Sequence, residues 1–493
     1  MDGLFQDVES IEKKNNKESK LFREDGNINY RQMKFFDAIY NYNRAIVFAK
    51  TKEDLALAYG NRSAVCLEAG KYEECLKNIE LAKQTGFPKN KVQQLNQREE
   101  KCKKLMREQK KDPENNLWSY IILSYPANEK IPWMIKDLEM RTNEEFDRGI
   151  YTSRNLKAGD IVCIEESKIL ALDFDAFFKC CNNCAKTSMM TLIPCLKTAT
   201  FMFCSTNCRD EFYKYTNLAS NKFYKNVLFL NKMINIFGGR ENLLQYLDSN
   251  PSSSIFDFDF SDLSHSDYML NLYKCFLSSK SVPLVYDSPE NFYPFEEKLS
   301  RIFNEKLLGN AVIITHCKHE NEVTAKNREV IKNFQTAMYR AEKPCFSTFR
   351  ALLNHSCVPN IDLVCINNTV VFYVKKPIKT NEQLFIAYND LNMKQHRLFL
   401  DLIGVSNCSC IACIQNLSIN NINEKNAMQF VRMHNLHLES IEIRNVSHAM
   451  ELISTLFDIL NNCEEPILLE MSLCGKFIKK IFNSLVDRLM FPV

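Results

Sequence analysis

Twenty cysteines stand among 493 residues, and two groups of them have the spacing of metal ligands. The first runs Cys181-x2-Cys184, then Cys195, then Cys204-x3-Cys208. Zinc takes four soft ligands at the corners of a tetrahedron, and two short cysteine pairs on separate turns supply them. Cys180 adjoins Cys181 but breaks the two-residue spacing. The second group, Cys408-x-Cys410-x2-Cys413, holds three cysteines, so its fourth ligand must come from elsewhere. A candidate lies in Leu352-Leu353-Asn354-His355-Ser356-Cys357. Thiolate ligation is expected over disulfides, because the cysteine content falls well below the ~8–10% of disulfide scaffolds. The opening MDGLFQDVESIEKK is acidic and polar, unlike a secretory signal. His316-Cys317-Lys318-His319 and the pair His434 and His437 are expected on ordinary exposed or packed faces.

The elements that must position these residues follow from pattern and composition. The length exceeds one ordinary core and suggests about two to four domains. A net charge of +3 gives no global basic field for nucleic acid and no acidic excess. No stretch nears the ~18 consecutive apolar residues of a membrane helix. Only 12 glycines suit a helix-rich chain. Residues 1–20 are polar and expected to form a disordered tail. From Asn27 to Arg107 apolar residues recur at helical spacing, with a helix over Ile28–Phe48 and further helices around Gly70, ended by Pro88. This spacing resembles a tetratricopeptide repeat (TPR), and about one and a half repeats must pack on something else. A β-like pattern covers residues 147–172, with a turn at Lys157-Ala158-Gly159-Asp160. Helical spacing returns over 209–245, Asp248–Asp267 reads as a loop, and strands are expected near 361–374 and 384–387. From Asn426 to Met490 the pattern is helical again.

The first cysteine group resembles a MYND zinc finger, a family that interleaves eight ligands around two zincs. Its first and third ligand pairs match Cys181, Cys184, Cys204 and Cys208. Cys195 matches one ligand of the other site, but Thr198, Thr216 and Ser220 stand where its partners belong, so the resemblance implies one zinc here. Asn354-His355-Ser356-Cys357, followed by Pro359-Asn360, resembles the signature of a SET methyltransferase domain, and Cys408-x-Cys410-x2-Cys413 its post-SET zinc cluster. Glu382-Gln383-Leu384-Phe385-Ile386-Ala387-Tyr388 resembles the motif that ends in the catalytic tyrosine. Asp147-Arg148-Gly149-Ile150 is similar to the early glycine segment that approaches S-adenosylmethionine, and Asn310-Ala311 to another short family segment. The order of these pieces over about residues 25–415 resembles the TPR-bearing branch of the SMYD family, the SET and MYND domain proteins.

That resemblance implies an α+β architecture: a β-rich SET fold split by a MYND finger and flanked by TPR-like and C-terminal helical regions. The implied boundaries are a tail at 1–20, TPR-like helices at 21–115, the first SET part at 116–179 and the finger at 180–220. A helical insertion at 221–305, the SET core at 306–392, the post-SET segment at 393–416 and a helical domain at 417–493 follow. The implied activity is S-adenosylmethionine-dependent methylation of a lysine in a histone or non-histone protein. Tyr388 is the implied catalytic residue, and Arg148, Gly149, Asn310, Asn354, His355 and Tyr388 bind the cofactor. Gly149 is expected to admit the cofactor where a Cβ would obstruct it. Cys357 joins Cys408, Cys410 and Cys413 around a second zinc, giving two ions in all. Expected partners are a lysine-bearing protein substrate and proteins docked on the TPR-like helices or the MYND finger. No nucleic acid or membrane is expected, and the chain is expected to be a monomer of cytoplasm and nucleus. The chain also departs from the family pattern. Asp147 and Asn381 stand at glycine positions, Phe346-Ser347-Thr348-Phe349-Arg350-Ala351 lacks the usual Tyr-Pro, and Gly404 and Ser406 stand where aromatics are expected. A second reading therefore makes the chain a catalytically weak or inactive scaffold for protein interactions.

Overall fold

A computed structural model describes residues 9–10, 13–108, 116–144, 147–167, 169–170, 178–184, 186, 188–215, 222–223, 233–249, 253–278, 345–366, 369–387, 410–414, 445–462 and 468–490. Along the chain come five helices, α1 Asn16–Arg31, α2 Phe35–Phe48, α3 Lys52–Glu68, α4 Tyr72–Thr85 and α5 Val92–Glu108. Strands β1 Leu138–Asn143, β2 Asp147–Thr152 and β3 Ile161–Glu166 follow. The cysteine-rich stretch holds the hairpin β4 Ile193–Pro194 and β5 Met202–Phe203, then α6 Thr206–Tyr215. Helices α7 Arg240–Asp248 and α8 His265–Ser278 lead to β6 Asn354–His355, β7 Ile361–Ile366, β8 Thr369–Val374 and β9 Phe385–Ile386. The chain closes with α9 Val446–Asn462 and α10 Leu468–Met490. The pieces sort into two compact units: residues 1–4 with 113–169 and 232–486, and residues 5–112 with 170–231 and 487–493.

In the second of these units the helices pair as hairpins. The sequence predicts one helix over Ile28–Phe48, but the chain turns between Arg31 and Phe35, with Met33 in the left-handed region at φ 58°. Helix α1 starts at Asn16, inside the stretch expected to be a tail, where the Asn15 side chain accepts from Lys17 N at 2.9 Å and caps it. The α3–α4 turn falls at Gly70 and α4 ends at Gly86, ahead of Pro88, as the spacing predicts. The short array does pack on something else, the cysteine-rich stretch. One core runs from Ile39, Tyr42 and Ile46 through Cys66 and Ile79 to Leu192, Phe201, Phe203 and Phe212. At its centre lies the wholly buried Arg62. Its Nη1 donates to Asn43 Oδ1 (2.6 Å) and to the Leu192 carbonyl (3.0 Å), and its Nε donates to Asn78 Oδ1 (2.7 Å). Asn43 Nδ2 in turn donates to the carbonyls of Phe178 and Met189, and Asn78 Nδ2 to that of Met190. Burial lowers the Arg62 pKa to about 10, so the network of neutral acceptors holds a costly charge.

The other unit is β-rich. Strands β1 and β2 form an antiparallel ribbon, and β3, β8 and β7 form a three-stranded antiparallel sheet with β8 in the middle. The β-branched run Thr369-Val370-Val371 and the buried Phe372 suit that central position. The predicted turn at Gly159 is present, with φ 97°, and Phe457 of α9 lies against the glycine. Asn461 of α9 binds both polar groups of Ala158, accepting from its N–H at 2.8 Å and donating to its carbonyl at 3.0 Å. Helix α10 is tied to β7 by Lys479 Nζ, 2.9 Å from the buried Asp362 carboxylate, which also has Lys375 Nζ at 3.6 Å. Trp133 packs edge-on against Phe260 and Tyr268, fixing the segment before β1 to the helical insertion.

Candidate active site and metal centres

Three chain segments far apart in sequence meet in the β-rich unit. Residues 381–386 run between β2 and β6. On one side, Asn381 N donates to the Thr152 carbonyl (2.7 Å), Thr152 N to that of Glu382 (3.2 Å) and Leu384 N to that of Ile150 (2.7 Å). On the other, β6 pairs in parallel with β9, Asn354 opposite Phe385 and His355 opposite Ile386, and Ser356 N donates to the Ile386 carbonyl at 3.1 Å. Asn354 then closes the crossing by donating its Nδ2 to the Arg148 carbonyl at 2.6 Å. Arg148, Gly149, Asn354 and His355, named separately from sequence, are therefore brought together. Tyr388, Asn310 and Cys408 lie outside the described residues.

Gly149 is held to glycine by its protein neighbours. A Cβ there would collide with the Gln383 carboxamide and lie 3.1 Å from Asn354 Nδ2, so the protein's own amides already occupy that space. Gln383 is buried and its Oε1 accepts from Tyr151 Oη at 2.9 Å. Asn360, of the Pro359-Asn360 pair, also gains a role. Its Nδ2 donates to the Gln383 carbonyl (2.8 Å) and its Oδ1 accepts from Phe385 N (2.7 Å), so one buried carboxamide pins the strand from both polar sides. Sequence reasoning quoted both residues within motifs and gave neither a function. Asn381, at a position where the family pattern has glycine, has φ 68°. Asparagine is among the few side chains that visit this left-handed region at low cost.

Four sulfurs converge in the first cysteine group. Cys181, Cys184, Cys204 and Cys208 place their Sγ atoms within 4.8 Å of one another. Cys184 and Cys204 are 3.7 Å apart, and Cys204 and Cys208 3.5 Å. Tetrahedral thiolates about 2.3 Å from zinc lie roughly 3.8 Å apart, so the donor set fits. The four thiols share hydrogen bonds that lower the pKa of Cys204 and Cys208 and raise that of Cys181 and Cys184, so the group titrates as one set. The β4–β5 hairpin carries the sulfurs to the start of α6, where Ser205 Oγ accepts from Cys208 N at 3.2 Å. Cys195 stands apart from this set. Its Sγ lies 3.3 Å from Tyr213 Oη, which also accepts from Leu196 N at 2.8 Å.

A second group forms at Cys357, Cys410 and Cys413, with Cys357 and Cys413 Sγ 3.3 Å apart. Cys410 and Cys413 flank the start of the helical turn Ile411–Ile414, with Cys413 N donating to the Cys410 carbonyl at 2.9 Å. The His355 ring aims at this group, with Nε2 3.4 Å from Cys357 Sγ. The main chain of His355 lies in β6, and its ring faces the sulfurs.

Residues 147–389 match the family model described as SET domain. Over 215 residues the chain is 21% identical to protein-lysine N-methyltransferase SMYD4 of Danio rerio, covering 40% of this chain and 28% of that protein. It is 35% identical to the Mus musculus protein of the same name over 95 residues, 19% of this chain and 12% of that protein. It is also 23% identical over 255 residues to SET domain and MYND-type zinc finger protein 6 of Schizosaccharomyces pombe, covering 50% of this chain and 46% of that one. The chain thus spans only part of the length of these relatives, about a quarter of the first. Residues 147–389 are a SET domain, and the chain is similar, over part of its length, to proteins named SMYD4 and to a SET domain and MYND-type zinc finger protein.

Proposed function

We propose that this chain is a protein-lysine N-methyltransferase that draws its methyl group from S-adenosylmethionine. The crossing of Arg148-Gly149, Asn354-His355 and Gln383–Ile386 carries the reading, because the three stretches that resemble SET motifs meet there and lead directly to Tyr388. Arg148, Gly149, Asn354 and His355 hold the cofactor beside this crossing, with Asn310 assisting. The cofactor supplies a methyl group on a sulfonium leaving group. With the cofactor bound, Tyr388 would orient the lysine amine, its proton already released to solvent, toward the methyl group, and alignment would provide much of the acceleration. The methyltransferase names of the relatives support this assignment.

The cysteine finger is read as MYND-type with a single zinc on Cys181, Cys184, Cys204 and Cys208, since Cys195 already bonds to Tyr213. The second zinc is held by Cys357, Cys408, Cys410 and Cys413 and fastens the segment beyond the SET core. The N-terminal helices are TPR-like, and partners meet faces other than the one that binds the main chain of residues 178–192. Histone and non-histone proteins in nucleus and cytoplasm are the proposed substrates, and the chain acts as a monomer.

Calorimetry with S-adenosylmethionine tests the reading first: a folded, zinc-loaded protein that does not bind it overturns the assignment. Methyl transfer to a protein panel is then expected to fall by roughly 10²-fold or more in Tyr388→Phe, with cofactor affinity little changed.

A further inference from the structure

The SET segment entering β6 lacks the Tyr-Pro of its family and instead reads Ser347-Thr348-Phe349. A buried acid from a distant strand meets it. Glu165, in β3, is 3% exposed and has no ion-pair partner among the described residues. Both its oxygens are used. Thr348 N (2.8 Å) and Thr348 Oγ1 (2.5 Å) donate to Oε1, while Phe349 N (3.2 Å) and Ser347 Oγ donate to Oε2. The order continues beyond the acid. Ser347 Oγ accepts from Arg350 N at 3.0 Å, the helical turn Arg350–Leu352 follows, and Leu353 N donates to the Arg350 carbonyl at 3.2 Å. The next residue is Asn354. Phe349 is fully buried and stacks edge-on with Phe372 of β8, the strand paired to β3, so the segment is fixed by its side chain as well.

We propose that Glu165 is a positioning residue for the cofactor site: its carboxylate replaces the missing Tyr-Pro as the anchor that sets where Asn354-His355 lies against β9 and Arg148. The inference rests on the methyltransferase reading for its cofactor consequence, and on geometry alone for the anchoring. A carboxylate is the one side chain that fits four donors, since it only accepts. Glutamine keeps the volume but offers a single acceptor oxygen, and its NH2 meets a main-chain N–H that cannot turn away.

The test compares wild type with Glu165→Gln by two readouts, well below the unfolding temperature. Amide hydrogen exchange is expected to speed up across residues 350–356 while β7 and β8 keep their protection. The dissociation constant for S-adenosylmethionine is expected to rise by roughly tenfold or more. A purely structural role would lower the unfolding temperature and leave the affinity of the folded protein alone. Affinity within twofold of wild type, or protection lost equally in all three strands, overturns the proposal. If wild type binds no cofactor, the methyltransferase reading fails, and exchange at 350–356 still decides whether Glu165 anchors the segment. Should Glu165→Gln not fold, Thr348→Val removes one hydroxyl donor from the same carboxylate and is read the same way.

Discussion

Asn381 shows how one residue alters the weight of a departure. Its φ of 68° explains why glycine suits the position, and its side chain accepts from Arg141 Nη2 at 2.8 Å. Asn381→Gly is expected to change stability by less than about 0.5 kcal/mol, whereas Asn381→Ala, with no local polar contact to offset the left-handed strain, loses about 1 kcal/mol or more in urea unfolding. Equal losses in both variants would show that the Arg141 bond matters and the backbone does not. Gly149 was legible as a position that excludes a Cβ, but its contact with Gln383 was not, because Gln383 is 234 positions away and its side chain reaches Gly149 only through the crossing. Glu165 was invisible for the same cause. It occupies an ordinary strand, and its donors lie 182 to 184 residues further along. Short motifs reveal ligands, while the supports of those ligands are scattered by topology.

Among the elements, those with strong period or punctuation were readable: β7, β8, the Gly159 turn and the paired helices around Gly70 all stand where pattern placed them. The α1–α2 turn was not, since it has no glycine or proline and relies on Met33. The cysteine-bearing elements make a countable prediction. Elemental analysis is expected to give two zincs per chain, falling to one in Cys204→Ser; three zincs would refute the loss of the site at Cys195. Helix α10 makes a pH-dependent one. Burial alone would push the Asp362 carboxyl up, but Lys479 and Lys375 outweigh it and hold it below the usual carboxylate range. A depressed folded pKa contributes stability that is present above the unfolded value of about 3.9 and is lost as pH falls through the folded one. Lys479→Met raises that folded pKa, so it is expected to cost ~1 kcal/mol at pH 7 and to move acid unfolding to higher pH. The gap between variant and wild type should narrow below about pH 4. A gap independent of pH would assign the loss to packing of the lysine stem.

At the scale of the whole molecule, Arg62 predicts cooperation between parts that sequence reading treats as separate domains. Arg62→Leu strands the acceptors of Asn43, Asn78 and Leu192 and is expected to cost about 3 kcal/mol or more. Loss of helical signal and release of zinc from the finger should shift together in thermal unfolding; zinc release at an unchanged temperature would separate the two parts. A different consequence follows from Asn461, whose carboxamide serves the Ala158 backbone as a neighbouring strand would, across a separation of 303 residues. A ribosome delivers β3 and its turn long before it delivers α9. The sheet of β3, β8 and β7 cannot complete itself while synthesis is still upstream, because β8 and Asn461 have not yet been made. A chain cut before β8 therefore leaves the edges of β3 and β7 open for chaperones or aggregation to claim, and one cut before Asn461 leaves the Ala158 turn without its cap.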